Sequence, residues 1–288
     1  MASAMAETQR FARAPYRDGE RKAAVDEGRY QIVPRRTKGS QSRLLWDKVL
    51  RHIPVMRLLA GTSGYNFDEW KGTFYPEKFP SAKMLAYYAE RLPTVEVNYT
   101  FYRMPNAKTI AGWVEQTPAG FTFVLKASQK ITHFKRLKEV ESELRYFCDT
   151  ALQLGPKLGA ILFQLPPNFK KEADRLGEVL RLVPEDIRCA WEFRHESWFS
   201  DDVYHLLKSR NAALCIADTD ESTTPDIVTA DWGYLRLRDE GYKEGDLQRW
   251  ADRVKQLGVG WKDAFVFFKH EEEGIGPVLA KQFAGLFG

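Results

Sequence analysis

The residues best equipped for chemistry lie in one stretch, IRCAWEFRHESW from Ile187 to Trp198, where a glutamate, an arginine, a histidine and two tryptophans follow an apolar run. Glu192 and Arg194 are two apart, so in a β-strand both project to the same side. Two charges on one face of a buried strand must answer each other or a ligand. Three acids that end apolar runs, Glu96, Glu192 and Asp218, stand in the same kind of position as the bases Lys126, Arg194 and Arg236. Two carboxylates in different environments can divide acid and base work. An arginine is shaped to grip a carboxylate or phosphate through two parallel hydrogen bonds.

The elements that would position these groups are apolar runs of four to eight residues, each ending on a polar residue. In order they end at Asn98, Lys126, Gln164, Arg194, Asp218, Arg238 and His270, and RLLAGTSG from Arg57 precedes them. Runs of this length, rich in β-branched and aromatic residues and separated by helix-like segments, predict buried parallel strands. Eight of them predict a (β/α)8 TIM-type barrel, whose active site lies at the C-terminal strand ends. The residues TDESTTPDIV after Asp218 cannot make a full helix, so the sixth helix is expected to be degenerate. Helices are expected from about Ser81, placed as an N-cap, and from Ser200 to about Arg210, and FYRMP from Phe101 reads as an aromatic loop. GTSG at Gly61 suits a tight turn, either a plain strand-to-loop connection or one with backbone amides free for an anion.

Composition bounds the remaining readings. The chain of 288 residues is 44% hydrophobic and 13% aromatic, enough for one barrel-sized core. No run of eighteen apolar residues and no secretory pattern occur, so a cytoplasmic protein with no membrane partner is expected. Cys148, Cys189 and Cys215 have neither zinc nor disulfide spacing and read as buried thiols. Residues 1–55 hold 12 Lys or Arg against 6 Asp or Glu, and residues 56–288 hold 31 against 33. The first segment is expected to be a basic, mostly disordered extension with a short helix at 44–53, and 56–288 the barrel domain. A slightly acidic barrel offers no electrostatic footprint for a nucleic-acid duplex.

The motifs GTSG at Gly61, FYP at Phe74, VEVNYTFYRMP from Val95, KAS and ITH between Lys126 and His133, LFQLPP at Leu162, WEFRHESWF at Trp191 and CIAD at Cys215 together resemble the YecE-like family, domain of unknown function 72. The resemblance runs from about Met56 to near the C-terminus. It implies a (β/α)8 barrel and no particular activity. Carried over residue by residue, it marks Glu96, Asn98, Tyr102, Lys126, His133, Gln164, Glu192, Arg194, His195, Trp198, Asp218 and Arg236. The chain departs from the family pattern at Arg238-Asp239 and at KHEEEGIG from Lys269, which leaves the roles of those two loops open.

The leading expectation is an enzyme acting on a small anionic or phosphorylated substrate. Glu192, with Glu96, Asp218 and His133, would supply acid/base groups. Arg194, Lys126, Arg236, Asn98, Gln164, Tyr102, Trp198 and His195 would bind substrate, with no cofactor and no metal. One alternative is metal-dependent phosphoester or sugar chemistry, with Glu96, Glu192, Asp218 and His133 or His195 as ligands. The chain has no HxH or HExxH, and three bases would crowd a dication. The other alternative is a nucleic-acid or protein binding module presenting Tyr65, Tyr99, Phe101, Tyr102 and Trp198 as exposed rings. Against the leading expectation stands the bland reading that strand-end charges merely satisfy one another, and catalysis is set ahead of it because polar groups end seven strands.

Overall fold

The computed structural model describes residues 56–288 apart from 220–221, 240 and 270–273. The expected extension, its helix at 44–53 and the centre of the KHEEEG loop lie outside the described residues. Eight strands form the barrel: β1 (Arg57–Ser63), β2 (Thr94–Val97), β3 (Thr122–Lys126), β4 (Leu158–Gln164), β5 (Cys189–Glu192), β6 (Ala213–Thr219), β7 (Gly233–Leu237) and β8 (Asp263–Phe268). All neighbours are parallel, β1 pairs with both β2 and β8, and pairing of Ala190 with Ala213 and Trp191 with Leu214 closes the ring. The helices between them include α1 (Met84–Ala89), α2 (Tyr99–Tyr102), α3 (Ala107–Glu115), α4 (Glu141–Leu152), α5 (Ala173–Leu182), α6 (Asp201–Ser209), α7 (Glu244–Leu257) and α8 (Ile275–Gly285).

The two-residue period of each strand sorts its side chains between the barrel interior and the helical shell. Inward residues Leu59, Val124, Ala160, Leu162, Ala190, Ala213, Cys215, Tyr234, Phe265 and Phe267 are all buried. Alanines on β4, β5 and β6 leave room for the rings of β7 and β8, so large and small side chains interdigitate. Gly61 is forced by closeness, since a Cβ there would stand 2.1 Å from the Thr94 carbonyl oxygen. At the N-terminal end Asp263 accepts from Arg57 Nε at 2.7 Å and from Arg188 Nη1 at 2.5 Å, tying together the starts of β1, β5 and β8.

After β6 the chain turns back as a two-residue strand, Ser222–Thr223, paired antiparallel with it. Among the described residues no helix follows before β7, as expected. Threonines satisfy the edge instead: Thr229 Oγ1 accepts from Leu214 N at 2.8 Å and donates to Ala212 O at 2.7 Å. Other local expectations are corrected. Ser81 lies inside a single 3-10 turn, Ser81–Lys83, and makes no cap bond. The helix opened by Ser200 is present as expected: Ser200 holds the N-cap position of α6, and its hydroxyl accepts from Lys171 Nζ at 3.2 Å. The aromatic loop after β2 is in fact α2, one helical turn. Thr100 Oγ1 closes it by donating to Val97 O at 3.0 Å and Lys126 O at 2.7 Å.

Candidate functional site: a cationic cavity over a buried ion network

Arg236 sits on the barrel axis side of β7, 1% exposed, between two buried carboxylates. Its Nη1 donates to Glu192 Oε2 at 2.6 Å and its Nη2 to Glu96 Oε1 at 2.8 Å. Tyr234, two residues earlier on the same face, donates its hydroxyl to Glu96 Oε2 at 2.5 Å. Glu192 also accepts from Gln164 Nε2 at 2.8 Å, Arg238 Nη2 at 3.0 Å and Arg194 Nε at 3.1 Å. Burial by itself would raise the Glu192 pKa, but Arg236, Arg238 and Arg194 with Gln164 hold it far below the usual carboxylate range. Burial likewise opposes charge on Arg236, while Glu96 and Glu192 keep its guanidinium protonated.

Above this network opens a cavity of about 810 Å³ at the C-terminal mouth, within the size range of small-ligand sites. Lys126, Arg194, Arg236, Arg238 and Lys269 line it, together with His133, and among the described residues no carboxylate does. Its walls are the rings of Tyr65, Phe67, Tyr99, Phe101, Tyr102, Trp113 and Phe134, with Ser63, Asn98, Gln129 and Gln164 as polar lining. Ser63 Oγ, Asn98 Oδ1, Arg236 Nε and Arg238 Nε are buried without a protein hydrogen-bond partner. Buried polar atoms are ordinarily paired, so four orphans at one cavity mark a place built for a polar guest.

Lys126 Nζ lies 4.2 Å from the centroid of the Phe101 ring. Its pKa falls to about 8, chiefly through burial and then the charge of Arg236, against the opposing pull of Glu96 and Glu192. His133 stands edge-on to the same ring at 4.9 Å, and its Nδ1 pairs with Thr132 Oγ1 at 2.9 Å. Burial, then Lys126 and Arg194, push His133 down to about 4, so the imidazole is neutral at pH 7.

Of the expected site residues, Lys126, Arg194, Arg236, Asn98, Gln164, Tyr102 and His133 line the cavity, and Glu96 and Glu192 lie directly beneath it. Glu192, expected as an acid/base group, has both oxygens engaged by four donors. Asp218 is on the opposite parity of β6 from inward-facing Ala217. It accepts from Arg238 N at 2.7 Å and from the Tyr242 hydroxyl, fixing the loop after β7. His195 caps a one-turn helix by accepting from Ser197 N at 3.2 Å. Trp198, expected among the exposed rings, is fully buried, stacks on Phe193 and donates Nε1 to Phe169 O at 2.7 Å. Phe101 is only 8% exposed, so the five rings make no continuous stacking platform.

The metal-ligand alternative meets a geometric objection. Glu96 and Glu192 are bridged by Arg236, Asp218 is engaged elsewhere, and among the described residues no three His, Cys, Asp or Glu side chains group as ligands. The anion-loop reading of GTSG gives way to the plain turn. Gly64 takes φ +106° and its amide donates to Glu96 O at 2.8 Å, while Thr62 N donates to the Tyr88 hydroxyl.

Sequence reasoning passed over Tyr234 and Lys269, and it set Arg238 on one face with Arg236 without giving it a role at the site. The period from Tyr234 through Arg236 to Arg238 was a usable signal, since all three must share a face. Arg238, where the chain departs from the family pattern, joins the network through Glu192.

The model of the family described as protein of unknown function DUF72 matches residues 59–288. UPF0759 protein YunF of Bacillus subtilis is 28% identical, over 73% of this chain and 88% of that protein. Among solved structures, a DUF72 family protein of Thermotoga maritima is 25% identical with TM-score 0.68, covering 80% of this chain and 98% of its own. A second, from Enterococcus faecalis, is 20% identical with TM-score 0.67, covering 81% and 95%. The cavity described above is thus carried on the barrel shared with these relatives, and the chain belongs to the DUF72 family.

Proposed function

We propose that this barrel binds a small anionic molecule, phosphorylated or carboxylated, in the cavity at its C-terminal mouth, and acts on it there. The observation that carries the reading is the charge of the cavity wall: five cationic side chains and, among the described residues, no carboxylate. Glu96 and Glu192 are both consumed in fixing Arg236, Arg238 and Arg194, so the network presents guanidinium groups upward with a net positive charge. Such preorganised donors in a partly enclosed site hold an anion without rearranging. Aromatic walls would pack against an uncharged portion of the ligand.

Proton transfer in this reading belongs to Lys126. A group near neutrality can give and take a proton at working pH, and Lys126 is at about 8. Glu192 remains a carboxylate throughout. The test is a thermal-shift series with phosphate, sugar phosphates, carboxylates and neutral sugars, using wild type and Arg194→Ala. Arg194 is the most exposed member of the Glu192 cluster, so its removal leaves the inner network intact. A ligand at a hundred times its dissociation constant adds about 2.7 kcal/mol of stability. Stabilisation by one anionic class, weakened in Arg194→Ala, supports the reading. Equal responses to neutral and anionic ligands, or none, would leave the charges as a self-satisfied network.

A further inference from the structure

The surroundings of Lys126 differ from those of the three arginines that line the cavity. Arg194, Arg236 and Arg238 each hold Glu192, whereas Lys126 Nζ forms no ion pair or hydrogen bond among the described residues. The amine ends β3, rests over the Phe101 ring and faces the cavity among other cations. An unpaired lysine between an aromatic ring and neighbouring positive charges is the environment that frees an amine for nucleophilic attack. From this geometry we infer that Lys126 is a covalent nucleophile that condenses with the carbonyl carbon of an anionic aldehyde or ketone held by Arg194, Arg236 and Arg238. The inference rests on the anion-binding reading and names the class of its ligand.

The step balances without a co-reactant. The amine lone pair attacks the carbonyl carbon, and the C=O π pair moves to oxygen, which takes one proton and gives a carbinolamine. The nitrogen lone pair then expels that oxygen with a second proton as water, leaving an iminium. From ammonium and carbonyl compound the products are iminium and one water, with no oxidation or reduction. His133 lines the same cavity, stands against the same Phe101 ring and is neutral at pH 7, so its imidazole can take up the proton released there. The buried Phe101 ring, whose centroid lies 4.2 Å from Nζ, covers one side of the new C=N bond, which favours the iminium over hydrolysis.

At pH 8 about half of Lys126 is free amine. A surface lysine at its ordinary pKa is about a hundredfold poorer in amine at that pH. The experiment exposes the full chain to glyoxylate or dihydroxyacetone phosphate with cyanoborohydride, with propionaldehyde as the uncharged control, and maps reduced adducts by peptide mass spectrometry. Lys126→Met and Lys126→Arg are treated alongside. The expected result is one dominant adduct on Lys126 with an anionic carbonyl compound, formed many-fold faster than with propionaldehyde, suppressed by inorganic phosphate and absent in both variants. Adducts spread over surface lysines at the same rate in wild type and variants would overturn the inference. Thermal stabilisation by inorganic phosphate is read on the same samples. If phosphate stabilises wild type and Lys126→Arg but no adduct forms, the nucleophile fails while the anion site stands. If phosphate stabilises neither, the anion reading fails as well.

Discussion

Replacing Lys126 with methionine should make the unliganded protein more stable at neutral pH. The side chain keeps the length of the lysine stem but loses the terminal ammonium, a charge that burial disfavours. Lowering of the Lys126 pKa from 10.5 to about 8 spans 2.5 decades of proton affinity. At 1.36 kcal/mol per decade, that charge costs the folded state about 3 kcal/mol. The folded pKa lies below the unfolded one, so between pH 8 and 10.5 the unfolded chain binds more protons and wild-type stability rises with pH. The penalty is complete below pH 8 and gone above 10.5. Loss of the ammonium contact with the Phe101 face removes ~1 kcal/mol. The expected net gain is therefore about 2 kcal/mol at pH 7, shrinking as pH rises toward 10. Urea unfolding of wild type and variant at several pH values, in buffer free of polyvalent anions, measures it. A variant less stable than wild type at pH 7, or a difference that does not change with pH, would refute the account of Lys126 as a desolvated amine.

The other expectations concern the network, the thiols and the far end of the barrel. Arg236→Met removes the shared partner of Glu96 and Glu192, and breaking a buried pair this way should cost about 3–5 kcal/mol in chemical denaturation. A loss below ~1 kcal/mol would mean that the two carboxylates do not depend on it. Burial pushes Cys148 up to about 12, Cys189 up to about 11 and Cys215 well above the ordinary thiol range, so an aromatic disulfide reagent at pH 8 should find none of these thiols in the native state and all three after unfolding. Burial would raise the Asp263 pKa, yet Arg57 and Arg188 hold it below its ordinary value. Its stabilising share is thus present above the unfolded carboxylate pKa and fades as pH falls through the folded one. Asp263→Asn should lower stability at pH 7 and leave stabilisation by phosphate unchanged, since it lies at the opposite end of the strands from the cavity.

The strands were readable because a parallel barrel buries both faces of each one, leaving short apolar runs punctuated at the mouth by polar residues such as Lys126, Gln164 and Asp218. Pro225 and the polar run around it were enough to rule out the sixth helix. Spacing also placed Glu192 and Arg194 on one side of their segment. It could not supply their neighbours, because Arg236 and Arg238 arrive from 44 and 46 residues along the chain. The role of Glu192 follows from those partners, so an acid that looked free in the sequence proves fully engaged. Trp198 and His195 were misplaced for a local reason. The chain leaves β5 at Glu192 and turns through Glu196–Trp198, which folds the tryptophan back under Phe169 and Phe193. Asp218 stands near the end of β6 on the opposite parity from inward-facing Ala217, and in a strand one residue of parity exchanges one face for the other.

The central claim, a cationic mouth that takes an anion beside Lys126, is tested most directly by calorimetric titration of the protein with inorganic phosphate at pH 8, in two buffers of different ionisation heat. An anion bound next to a half-protonated amine raises the pKa of that amine, so binding must draw in protons. The account predicts one site per chain, with proton uptake in the wild type that is lost in Lys126→Met. Absence of binding, or binding whose proton uptake is the same in both proteins, would contradict it.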